Sequence, residues 1–253
     1  MRMPSMSRPP FSQRGLSIIE LMIALLLCTL LILGVTQVYI DNKRTFLSQH
    51  DQNDTQDGSR FALFSIQQLL LKTGYKTLAQ DSREIAFPYL AAANGCQAFA
   101  AGQSVRPTAN GLGVCIRYQR RITTETDCLG NTIATSNAIV TRLERVAATN
   151  ELQCSAQGAA AQTLVSDVAN IAFTYGIDTN DDRLAEAFVT TPAADAWPVS
   201  VRVSLLQRSS NNGTAIGQQS YFFPLSSTAA TTATDTRLYN SAQTTVTLRN
   251  IAQ

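Results

Sequence analysis

A single histidine, a turn dense in aspartate, five cysteines and one glutamate at the head of an apolar run are the residues whose types and spacing could do chemistry. A Ser/His/Asp hydrolase would have to use His50, but that residue sits in a polar stretch away from any glycine-elbow serine, so it reads as a solvated helix position and no enzyme is expected. Asp178, Asn180 and Asp182 offer oxygen ligands at alternate positions, as a calcium loop does. Arg183 stands where such a loop needs its turning glycine and Val189 where it needs the closing glutamate, so a turn rich in Asp and Asn is expected and no metal. There is no glycine-rich phosphate cradle and no pair of catalytic carboxylates, and no cofactor is expected.

The remaining candidate is the stretch Arg14-Gly15-Leu16-Ser17-Ile18-Ile19-Glu20. Residues 21–40 follow it without a formal charge, which as a helix spans about 30 Å, the thickness of a bilayer's hydrocarbon core. Arg2, Arg8 and Arg14, with no acid among them, hold the first residues in the cytoplasm and send the rest outward. A secretory signal has a shorter apolar region, about 7–15 residues, closed by a small-residue cleavage site. Here the small residue at a change of character is Gly15, on the cytoplasmic side, so a cut after it would remove the charged leader and keep the membrane helix. Glu20 would then be the fifth residue of the mature chain. A carboxylate near the start of a membrane helix is costly and wants a partner. The new amino group at Leu16 is the nearest cation of a kind that a neighbouring copy or relative could also supply.

Gly15, Leu16 and Glu20 resemble, residue by residue, the class III signal of the type IV pilin and pseudopilin family, in which a glycine precedes a hydrophobic first mature residue and a glutamate stands fifth. The family usually has phenylalanine where Leu16 stands. The resemblance implies that a prepilin peptidase cuts after Gly15 and methylates the amino group of Leu16, and that Glu20 registers the incoming subunit in a fibre.

The chain is long enough for one sizeable domain beyond the membrane. Its net charge is +2, and loss of residues 1–15 leaves 17 basic against 18 acidic side chains. That balance carries no basic patch, and no specific nucleic acid is expected as a partner. Cys28 lies within the apolar run as a small apolar residue. Cys96, Cys115, Cys128 and Cys154 lie beyond it, in no CxxC or Cys/His pattern, and in an exported segment they favour two disulfides. Four cysteines allow three connectivities; the sequential one, Cys96 with Cys115 and Cys128 with Cys154, is preferred.

No proline interrupts residues 16–72, so one long helix is allowed, with Gly34 and Gly58 as its weak points. Ala62, Leu63, Ile66, Leu69 and Leu70 recur at three- and four-residue spacings and give the later part an apolar face, and Thr73-Gly74 is a stop. Beyond Gly74 the period changes to two. Residues 113–118, 138–146, 171–177 and 197–205 read as strands, with shorter ones at 218–223 and 244–249. Val199, Val201, Val203 and Leu205 make one face of the clearest of them, and Trp197 is expected in the core. Asn211-Asn212-Gly213 marks a turn and residues 226–236 a surface loop. The fold class is α+β: a long N-terminal helix, its first half for the membrane and its second half amphipathic, packed on an antiparallel β-sheet head. The parts are a leader of residues 1–15 that is removed, a membrane and assembly helix at 16–40, its amphipathic continuation at 41–74, and a periplasmic β-rich head at 75–253.

Weaker matches narrow the resemblance. Arg60-Phe61-Ala62-Leu63, Ile116-Arg117-Tyr118-Gln119, Asp127-Cys128-Leu129-Gly130, residues 173–178, the strand around 197–206 and the terminal residues 244–250 are similar, in order, to the PilW group of minor pilins. This implies a structural subunit that helps prime type IV pilus assembly. Its partners would be other minor pilins and the major pilin, prepilin peptidase, the inner-membrane assembly platform and, before assembly, membrane lipid. It would wait in the bacterial inner membrane with its head in the periplasm and then move to a pilus at the cell surface. The alternatives are a J-type pseudopilin of a type II secretion system and a tip-located binding module.

Overall fold

A computed structural model describes residue 15 and residues 17–251. The first helix, α1, runs Ile18–Lys72, and the chain divides into two compact units between Leu47 and Ser48. In the first unit every helical residue from Ile18 to Leu47 is exposed, and the apolar stretch is long and apolar enough to cross a membrane. A helix apolar all round satisfies its own backbone polar groups and needs a surrounding apolar phase for its side chains. Residues 18–40, as helix, cover about 34 Å.

In the second unit α1 is amphipathic. Ala62, Ile66, Leu69 and Leu70 are buried on one face and Leu63 packs against them, while Phe61 and Phe64 are exposed. The helix ends where Gly74 adopts φ 74°, a left-handed conformation that a side chain disfavours. Its N–H donates to the carbonyl of Arg117 at 2.9 Å, and a Cβ there would crowd Ile251 and Ser104. Gly58, expected as a weak point, lies where the Gln207 side chain crosses the helix, 3.3 Å from the place a Cβ would occupy.

A short helix, α2 (Arg83–Ala86), is followed, among the described residues, by eleven strands. Strands β1 (Val105–Pro107), β2 (Gly113–Tyr118), β3 (Ile139–Val146), β4 (Glu151–Ala156) and β5 (Gln162–Val165) form an antiparallel meander in that order. A second antiparallel sheet takes β6 (Val168–Ile177), β7 (Ala187–Val189), β8 (Pro198–Arg208) and β11 (Tyr239–Thr247) in the order β11-β8-β6-β7. Between β8 and β11, β9 (Ser220–Tyr221) and β10 (Thr231–Thr232) pair as a small ribbon, so the segment read as a surface loop carries a strand.

Register places Ile171, Phe173 and Tyr175 of β6 opposite Leu205, Val203 and Val201 of β8, and all six are buried. Together with Val114, Ile116 and Leu143 of the meander and the α1 face they make one core. The molecule is therefore α+β, an apolar N-terminal helix whose later turns pack on antiparallel sheets. Trp197 departs from expectation. It is 38% exposed just ahead of β8, with the Arg83 guanidinium 4.9 Å from its ring, so it lies at the surface under a cation and not in the core.

Candidate functional site

Gly15 is exposed, outside regular structure, and has nothing within 4 Å of where a Cβ would stand. Leu16 and the leader residues 1–14 lie outside the described residues. The carbonyl of Ser17 accepts from the N–H groups of Glu20 and Leu21, each at 3.1 Å, and this bond starts α1. Glu20 falls in the first turn, where a carboxylate complements the positive end of the helix dipole. Its side chain is exposed, as are Ile18, Ile19, Leu21 and Met22 around it, and the next charge along the chain is Asp41. The structure thus brings an accessible glycine and a lone carboxylate to the two sides of a helix start. Chemically, the glycine side can be reached by a peptidase, and the carboxylate side can bind a cation within an apolar surround.

The second unit holds a polar seam that periodicity alone passes over. Asp51, Thr55 and Ser59 continue the buried face of α1 at four-residue spacing. Asp51, 2% exposed, accepts from Thr214 Oγ1 at 2.5 Å and from Asn211 Nδ2 at 3.0 Å, and Asn240 Nδ2 donates to Ser59 Oγ at 2.9 Å. Spacing could have revealed the helix half of this seam. Its partners come from the turn after β8 and from β11, more than 150 residues away, and no local signal names them.

Near the end of α1, Lys72 Nζ lies 3.1 Å from Glu125 Oε1 and 5.4 Å from the centre of the Tyr118 ring. Burial pushes the Tyr118 hydroxyl up to about 12. On β2, the Arg117 guanidinium sits 5.5 Å from the Phe87 ring and 5.2 Å from Phe99, and burial lowers it to about 10. These are packing contacts that fix β2 against the segments before it.

Cys96 is bonded to Cys115 and Cys128 to Cys154, with Cα separations of 5.9 and 6.4 Å. Cys28 is a free thiol on the exposed apolar helix. His50 is exposed on α1 with Nδ1 3.6 Å from Asp54. Carboxylate oxygens of Asp178, Asp182 and Glu186 lie within 4.8 Å of one another. They already serve the turn: Asp178 accepts from the N–H groups of Asn180, Asp181 and Arg183, Asp182 from Leu184, and Glu186 from Thr179. Left-handed Asp181 (φ 63°) and Arg183 (φ 71°) complete a tight, self-satisfied loop.

An apolar helix long enough to cross a membrane, with Gly15 just ahead of it and Glu20 in its first turn, precedes a sheet-rich head, the arrangement of a type IV pilin-like protein. Residues 10–36 match the prokaryotic N-terminal methylation motif, and residues 132–250 match the family of type IV pilus-assembly protein W. Over these residues the chain is similar to type IV pilus-assembly protein W and carries a prokaryotic N-terminal methylation motif. The second match takes in the similar segments from residue 173 onward; those at Arg60, Ile116 and Asp127 lie ahead of it. Among solved structures, a type IV-like pilin from Thermus thermophilus aligns over 78% of this chain and 97% of its own, at 14% identity and a TM-score of 0.46. Among curated proteins none matches.

Proposed function

We propose that this chain is a minor pilin, a non-enzymatic structural subunit that helps prime type IV pilus assembly. Prepilin peptidase cuts after Gly15, removing residues 1–15, and methylates Leu16. Residues 16–40 serve as the membrane and assembly helix, residues 41–74 as its continuation, and residues 75–253 as a periplasmic head. The subunit waits in the inner membrane, then joins other minor pilins and the major pilin through the assembly platform and reaches the cell surface. Glu20 pairs with the amino terminus of a neighbouring subunit during that step.

The observation that carries this reading is the lone exposed carboxylate, five residues beyond an accessible glycine, on a helix otherwise uncharged as far as Asp41. Buried among apolar helices it would be costly unless paired, and the amino group of a neighbour's Leu16 is the complementary charge. Mass spectrometry of the amino-terminal peptide from a native envelope preparation tests the processing step. A methylated Leu16 is expected; an intact Met1, or a cut beyond residue 40, overturns it. Glu20→Ala is expected to be cleaved normally and to lose piliation, and normal piliation in that variant would remove the assembly role.

A further inference from the structure

The second sheet ends in a strand whose outer side is open. Leu248 N–H donates to Val199 O, and Ser209 N–H to Leu238 O, which fixes the even-numbered residues of β11 as those bonded to β8. In an antiparallel ladder the alternate residues then turn both N–H and C=O away from that partner. These are Tyr239, Ser241, Gln243, Thr245 and Thr247. The segment around β9 covers the first two: the Gln219 side-chain amide donates to Tyr239 O and accepts from Tyr239 N, and Ser241 Oγ donates to Phe222 O. Among the described residues, no hydrogen bond is made by the backbone of Gln243, Thr245 or Thr247, and all three are exposed.

Natural sheets blunt such edges with lysine, proline, a bulge or a covering loop. Residues 242–247, Ala-Gln-Thr-Thr-Val-Thr, carry none of the blocking residues, and the β11–β8 register runs without a shift. The other sheet ends are three or four residues long: β1, β5 and β7.

We propose that the free edge of β11 pairs with the same edge of a second copy of this chain, in antiparallel register centred on Thr245. That register is self-complementary. It sets Thr245 against Thr245 and Gln243 against Thr247 on the outer face, and Thr244 against Val246 on the inner face, with three hydrogen-bonded pairs between the copies. No charge meets a like charge. The nearest one, Arg202, lies one strand in, beside Thr245, so the two copies of it stand about 14 Å apart across three strand spacings, beyond the screening length. A charged or proline-bearing segment would lose this match, which favours a second copy over a foreign peptide. The proposal does not depend on the pilus role.

The test uses the full chain, purified in detergent, with Cys28→Ser to remove the free thiol. Thr245→Cys in that background is expected to give a homodimer on oxidation, reversed by reductant, because the register brings its two copies within bridging distance. Thr247→Cys is expected to stay monomeric, since its opposite residue is Gln243. Thr245→Pro deletes an N–H that points away from β8 and should weaken dimerisation roughly tenfold or more by light scattering. Should that variant fail to fold, Thr245→Lys serves as the edge block. A monomer in which Thr245→Cys never links, a dimer indifferent to both edge variants, or a Thr245→Cys link to a different protein in envelopes would each overturn the proposal.

Discussion

At the scale of single residues, the contacts that hold the later part of α1 in place are polar at one end and ionic at the other. Burial works against the charged Glu125 carboxylate, but the Arg121 N–H at 2.5 Å and the Lys72 ammonium outweigh it and hold the group below its ordinary value. A depressed carboxylate contributes stability that is present above its unfolded pKa and is lost as pH falls through the folded one. Thermal unfolding followed below about pH 4.5 should therefore steepen with Glu125, and Glu125→Gln should lower stability near neutrality and flatten that acid limb, its curve meeting that of the unaltered chain at low pH. At the other end, Asp51→Ala leaves Thr214 and Asn211 without their acceptor. A charge-assisted pair of this kind contributes about 1.5–3 kcal/mol, a loss that denaturant titration of the full chain would read. Glu20, by contrast, stands out in the sequence, because a lone carboxylate in an apolar run is conspicuous without any knowledge of its neighbours.

At the scale of elements, legibility followed periodicity. The face Ala62, Ile66, Leu69 and Leu70 could be read because apolar residues at helical spacing announce a buried side, and β2 and β8 because their valines and isoleucines alternate or cluster over six residues or more. Strand β4, Glu-Leu-Gln-Cys-Ser-Ala, carries little periodic signal, since only two large or sulfur-bearing side chains mark its buried face. Strands β1, β7 and β10 are two or three residues long, too short to display an alternating pattern, and are defined by pairing with their chain neighbours β2, β6 and β9. Trp197 misled for a related reason: its place at the head of an apolar strand resembled core, while the arginine stacked on it comes from α2, over a hundred residues earlier. The apolar register itself is testable. Ile66→Ala, at a fully buried position in the core shared by α1 and both large sheets, should cost about 2–5 kcal/mol in the same unfolding measurement, whereas Phe61→Ala on the exposed face should cost far less.

At the scale of the whole molecule, both disulfides close within residues 96–154, around the meander, while the sheet of β6, β7, β8 and β11 contains none. Each bridge closes a loop of a size that a chain-entropy estimate values at roughly 3 kcal/mol. Yet Cys154, Leu143 and Ile116 share one core with Val201, Val203 and Ile66, so slack in the bridged half is felt by the unbridged half. The stability of the whole head is consequently coupled to the oxidation state of its four cysteines. Until the sulfurs are joined, the β8 strand and the α1 face have a weaker platform to lie on. Reduction of the bridges is therefore expected to loosen the unbridged sheet as well as the meander, a loss that thermal unfolding with and without reductant would read.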